Sequence, residues 1–126
     1  MIVVKRSTSD YADTVRALLA AIEQRGLTVF ARIDHAAGAR EVDMDLADEE
    51  VVLFGNPRGG TPLMQSDPRV GIELPLRILV WREGEDVLLG YRDPRELSAG
   101  YELDGLADAL AQFAGLLDAL TAAAAG

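Results

Sequence analysis

Cysteine is absent from this 126-residue chain, and histidine and lysine occur once each, as His35 and Lys5. Without cysteine there is no disulfide, no thiolate nucleophile and no thiolate metal site. A single histidine likewise excludes a multi-histidine metal centre, and neither a metal nor another cofactor is expected. Basic residues are scarce beside acidic ones, 12 against 21, for a formal net charge of −9. The average field of such a surface repels a phosphate backbone, so no nucleic-acid partner is expected; Arg58, Arg69, Arg92 and Arg95 leave room for a local basic patch only. Long apolar runs are missing too. Met1–Arg6 is too short in its apolar part for a signal peptide, and no later run approaches the length that spans a bilayer. The expectation is a cytoplasmic protein with no membrane partner. Arginine in place of lysine, with abundant alanine, glycine and aspartate, fits a high-GC bacterial genome.

What is present is the composition of an ordinary globular domain, 49% apolar and 26% charged, with residues 1–126 forming one unit. Ile2–Arg6 reads as a short β-branched strand. Ser7-Thr8-Ser9-Asp10 offers N-cap residues for a helix whose stripe is Tyr11, Val15, Leu18, Leu19 and Ile22, and Gly26 supplies its left-handed stop. Leu27, Val29, Ala31 and Ile33 alternate with polar or bulky neighbours, as in a strand with one apolar face. Asp43–Glu50 reads as an acidic surface connection with Val42, Met44 and Leu46 tucked inward, and Val51–Phe54 as a central strand. Thr61–Leu74 suggests one or two short helices interrupted at Pro68. Leu76–Arg82 and Asp86–Arg92 flank Glu83-Gly84-Glu85 as an antiparallel hairpin. Leu103, Leu106, Leu110, Phe113, Leu117 and Leu120 form the stripe of a last helix, with an alanine tail expected to fray after Thr121. This order predicts an α+β two-layer sandwich: a mostly antiparallel sheet of about five strands, two long helices on one face, and short helices in the connections.

Three places could carry chemistry. Gly55-Asn56-Pro57-Arg58-Gly59-Gly60-Thr61 can form a nest of N–H groups with Arg58 as a charge clamp, or simply a turn in which Thr61 caps a helix starting at Pro62. It is not a Walker A loop, which needs Gly-Lys-Ser/Thr after its spacer. Asp34-His35 can act as a general-base pair, or Asp34 can cap the next turn while His35 merely packs at a strand end. Met64 with Phe54 and Trp81 can line an apolar pocket or belong to the core. The acidic run from Glu41 to Glu50 lacks the EF-hand order, and no Gly-x-Ser-x-Gly elbow accompanies Ser66.

Two blocks carry a family likeness. Gly26-Leu27-Thr28-Val29-Phe30-Ala31-Arg32-Ile33-Asp34-His35 is one; Phe54-Gly55-Asn56-Pro57, Gly60-Thr61-Pro62-Leu63-Met64, Leu74-Pro75-Leu76-Arg77 and Val80-Trp81 make up the other. In both, the chain resembles the domain-of-unknown-function 302 family over roughly its whole length. The resemblance implies a compact α+β domain similar to the TATA-binding-protein architecture, often a homodimer. It implies no catalytic residues, because the family has no established activity.

The function expected from these readings is a non-enzymatic homodimeric module for ligand binding or interaction. It would hold a small anionic or amphipathic ligand near His35, Asn56, Arg58, Gly59, Gly60, Thr61 and Met64. The alternatives are an enzyme with His35 as general base, oriented by Asp34 or Glu73 and with Arg58 as anion stabiliser, and a purely structural or partner-binding dimer signalled by the apolar last helix.

Overall fold

A computed structural model describes residues 1–126. The elements are β1 (Ile2–Arg6), α1 (Tyr11–Gln24), β2 (Thr28–Asp34), α2 (His35–Glu41), β3 (Glu49–Gly55), α3 (Pro57–Ser66), β4 (Leu76–Glu83), β5 (Asp86–Arg92) and α4 (Ala107–Ala125). Short 3₁₀ turns at Pro68–Glu73 and Pro94–Ala99 complete the chain. The strands form one sheet in the order β1-β5-β4-β3-β2, antiparallel throughout.

The long helices share one face of this sheet. Asp10 caps α1 by accepting from Asp13 N–H at 2.8 Å, and Gly26, at φ +69°, ends it. The buried stripe Thr14, Val15, Leu18, Ala21 and Ile22 follows from its 3.6-residue spacing. It meets Leu117, Leu120 and Ala124 of α4 and, from the sheet, Val52, Phe54, Ile78, Val80 and Leu89. Each fully buried Leu, Ile or Phe here contributes about 1.5–3 kcal/mol relative to exposure. A second, smaller core of Leu63, Val70, Leu103 and Leu110 lies beneath α3. Neither long helix covers the opposite sheet face. Opposed residues in an antiparallel pair share a face, so the register puts Val51, Leu53, Leu79, Trp81 and Leu88 together on that open side. Trp81 lies over Gly90, where a Cβ would come within 3.0 Å of the indole.

Several sequence expectations are corrected. The alternation in β2 does not give one apolar face, because a bulge falls between Val29 and Ala31. Val29 faces Phe54 on the helix side, whereas Ala31 and Ile33 pair with Leu53 and Val51 on the open side. The extra residue is Phe30, and the phase change turns Arg32 toward the helices. Val42, Met44 and Leu46 are exposed rather than tucked in. Asp43 adopts a left-handed conformation (φ 59°) where α2 closes, and sends the chain over the surface. The alanine tail does not fray. Ala is the best helix former, and α4 runs to Ala125, whose carbonyl accepts from Thr8 N–H at 2.9 Å. Leu103 and Leu106 precede α4 instead of belonging to it, and Leu117 and Leu120 are core.

Candidate functional site

The glycine-rich stretch after β3 is a helix, not a loop. Asn56 is the N-cap, extended at φ −147° and ψ 130°, and its Oδ1 accepts from Arg58 N–H at 2.9 Å. Pro57 takes the first helical position, where its missing N–H costs nothing. The helix therefore starts five residues before Pro62, and Thr61 is not its cap.

Residues 60 and 64 lie one turn apart on α3, so they face the same way. They roof a cavity of about 300 Å³. Phe30 from the bulge, Leu74, Pro75 and Leu76 at the start of β4, and Phe113 from α4 form its walls. Three glycines keep it open. A Cβ would lie 3.7 Å from Phe30 at Gly55, 3.4 Å from Leu74 at Gly60 and 3.4 Å from Met64 Sδ at Gly71. Its polar side chains are few, Asn56 and Thr61. A mainly apolar cavity with a few placed polar groups is the ordinary form of a small-molecule site.

A second cavity of about 230 Å³ shares Leu74, Leu76 and Phe113 with the first. Its rim is charged, with Glu73, Arg77 and Arg92. Glu73 accepts from the Tyr101 hydroxyl at 2.8 Å, and that bond, with burial, pushes the Tyr101 phenol up from its ordinary value. Nearby, Asp67 accepts from Arg69 Nη2 at 2.8 Å and from Glu102 N–H at 2.9 Å. The Arg69 guanidinium and then the Glu102 N–H hold the Asp67 carboxyl well below the usual carboxylate range. This knot ties the Pro68–Glu73 turn to the loop before α4.

Of the residues singled out in the sequence, Asn56, Gly60, Thr61 and Met64 line the first cavity. Gly59 stands behind it, where a Cβ would be 3.0 Å from the Phe113 ring, and exposed Arg58 lines none of the three main cavities. His35 is elsewhere. It follows Asp34, which pairs with Glu50, whereas the cavity adjoins Gly55, which pairs with Thr28. Six strand residues separate the two ends, about 20 Å. His35 is exposed and makes no hydrogen bond with a carboxylate; Asp34 is spent capping α2 by accepting from Ala37 N–H at 2.9 Å.

The end of the sheet near His35 holds a different polar group. Glu50, only 4% exposed, accepts from Arg32 Nε at 3.0 Å and Nη2 at 3.1 Å. Burial, then Glu50, raises the Tyr11 phenol far above its ordinary value. Neither residue lines one of the three main cavities, and the bidentate geometry is that of a structural tie.

Sequence reasoning missed Phe30, Leu74, Arg77, Arg92 and Phe113. Phe30 carried one usable signal, an aromatic on the polar phase of an alternating strand.

The profile of the family described as Domain of unknown function DUF302 matches residues 3–123. The chain belongs to the DUF302 family. Among curated relatives, the "Fluoride-specific ion channel FluC 1" of Brucella suis is 38% identical over 103 residues, covering 81% of this chain and 41% of that protein. The FluC 1 of Brucella abortus is also 38% identical over 103 residues, 38% of its own length. The DUF302 chain thus spans about two fifths of the curated relatives it matches. The crystal structure of an uncharacterized conserved DUF302 protein from Bacillus stearothermophilus superposes with a TM-score of 0.87 at 18% identity, over 98% of this chain and 97% of that one. That likeness fixes the DUF302 fold as α+β. No helix of the domain is long and apolar enough to cross a membrane.

Proposed function

We propose that this DUF302 domain is a non-enzymatic binding module whose site is the cavity beneath α3. The observation that carries the reading is the 300 Å³ apolar space held open by Gly55, Gly60 and Gly71. No nucleophile–base pair stands beside it. An apolar probe such as octan-1-ol is expected to raise the melting temperature by mass action, and Gly60→Leu, which fills the space, is expected to abolish the rise. An unchanged melting temperature with octanol, hexane-diol and aryl alcohols alike would remove the reading.

The module works as a homodimer joined through its open sheet faces. The support is the apolar row Val51, Leu53, Leu79, Trp81 and Leu88, extended at the edges by exposed Ile2, Val4 and Ile33. Apolar sheet faces of this kind mark interaction surfaces, and two copies can stack them about 10 Å apart. Sedimentation of Trp81→Glu tests this: a dimer that turns monomeric supports it, and an assembly unaffected by the substitution contradicts it. In the Brucella channels the matched stretch is accompanied by a further three fifths of chain, which supports reading the domain as an accessory to other modules.

A further inference from the structure

We infer that the ligand of this site is an amphipathic monocarboxylate, its apolar body beneath α3 and its carboxylate between Arg77 and Arg92; the inference rests on the cavity beneath α3 being a ligand site. The two cavities share Leu74, Leu76 and the half-buried Phe113 in their walls, which sets the apolar end and the charged end side by side. The charged end holds two arginines that stand in no ion pair. Arg6, Arg16, Arg32, Arg69, Arg82 and Arg95 all stand in ion pairs. Among the five that do not, Arg77 and Arg92 line a cavity, whereas Arg25, Arg40 and Arg58 line none of the main three.

The end of the β4–β5 ladder leaves these two charges on one cavity. β4 and β5 pair from Leu79↔Gly90 to Glu83↔Asp86. Arg77, opposite Leu53 of β3, and Arg92, opposite Ile2 of β1, lie beyond that ladder, where β4 and β5 are no longer paired, and both line the second cavity there. Like charges lining one cavity repel. The ladder stops before reaching them, and an anion seated there would relieve the repulsion. Glu73 also lines this cavity, and its Oε2 already accepts from Tyr101. Two guanidinium groups and one carboxylate leave a single positive charge, matched by one carboxylate head. The planar forks of arginine suit that head in a bidentate arrangement.

Calorimetric titration of the whole chain with octanoate and with octan-1-ol tests this. Octanoate is expected to bind about tenfold or more tighter than octanol, and R77Q combined with R92Q to weaken octanoate by about ten- to a hundredfold while leaving octanol unchanged. R58Q is expected to change neither. If the double variant fails to fold, added salt on the unaltered chain serves in its place: octanoate affinity falls and octanol affinity stays flat. Octanol binding with octanoate indifferent to both arginines and to salt would overturn the carboxylate site and leave the apolar cavity standing. Loss of octanoate binding in R58Q alone would overturn it as well. If neither compound binds at millimolar concentration, the cavity itself is not a ligand site and both readings fall together.

Discussion

Gly59 and Gly60 are neighbours in the first turns of α3, yet an added methyl group meets different surroundings at each. Replacing glycine by alanine inside a helix gains about 0.5–1 kcal/mol, because the unfolded chain loses freedom and alanine favours helix. Neither residue has a positive φ, so neither substitution is strained by backbone. At Gly60 the new Cβ points into the cavity, 3.4 Å from Leu74 Cδ1 and 3.9 Å from Met64 Cε, both ordinary contacts with flexible side-chain ends. At Gly59 it meets Phe113 Cε1 at 3.0 Å and Cζ at 3.3 Å. The ring must give way, and overpacking of this kind costs about 1–3 kcal/mol. Gly60→Ala is therefore expected to stabilise the protein by about 0.5–1 kcal/mol. Gly59→Ala is expected to be less stable than Gly60→Ala by about 1 kcal/mol or more. Urea unfolding followed by Trp81 fluorescence reads both, as shifts in midpoint at constant slope. Equal stabilisation by the two alanines would refute the placement of Phe113 against Gly59, and with it the wall between the two cavities.

Asp67→Asn should lower the melting temperature at pH 7, since Asp67 accepts from Arg69 and Glu102. Its carboxyl is held below the ordinary range when folded, so its stabilisation is present above the unfolded value of about 3.9 and is lost as pH falls through and below that value. The gap between Asp67→Asn and the parent should accordingly close on acidification; a gap independent of pH would contradict this. Glu50→Gln loses the charge-assisted pair with half-exposed Arg32 and should cost about 1–2 kcal/mol in urea unfolding. It should also bring Tyr11 ionisation, followed by ultraviolet absorbance, part of the way back toward normal. Leu18→Ala, at a fully buried position of the main core, should cost about 2–5 kcal/mol, and a cost below 1 kcal/mol would show that α1 is not seated as described.

The sequence was most legible where local signals agreed. The stripe from Tyr11 to Ile22, its Asp10 cap and its Gly26 stop all name one helix, and the Glu83-Gly84-Glu85 turn names its hairpin. It was misleading where one residue changes the phase. Nothing in Thr28–Asp34 announces that Phe30 is the extra residue of a bulge, because the evidence for it lies in the register with β3. The glycines and prolines of α3 argued for a turn. Tertiary packing overrode that propensity, since Gly59 lets the helix approach Phe113 more closely than a residue with a Cβ would permit. The neighbourhood of the candidate site was found through this unusual composition, around Asn56, Gly60, Thr61 and Met64. Its far wall was not, because Phe30, Arg77, Arg92 and Phe113 come from four other elements that only the fold brings together.

Methionine methyl groups offer the most direct measurement of whether the cavity beneath α3 holds a ligand. The chain has three, in Met1, Met44 and Met64, and only Met64 lines that cavity. In a titration of ¹³C-methyl-methionine protein with octanoate, the Met64 signal should move saturably while those of Met1 and Met44 stay in place. A stationary Met64 signal, or saturable movement confined to Met1 or Met44, would contradict a ligand site beneath α3.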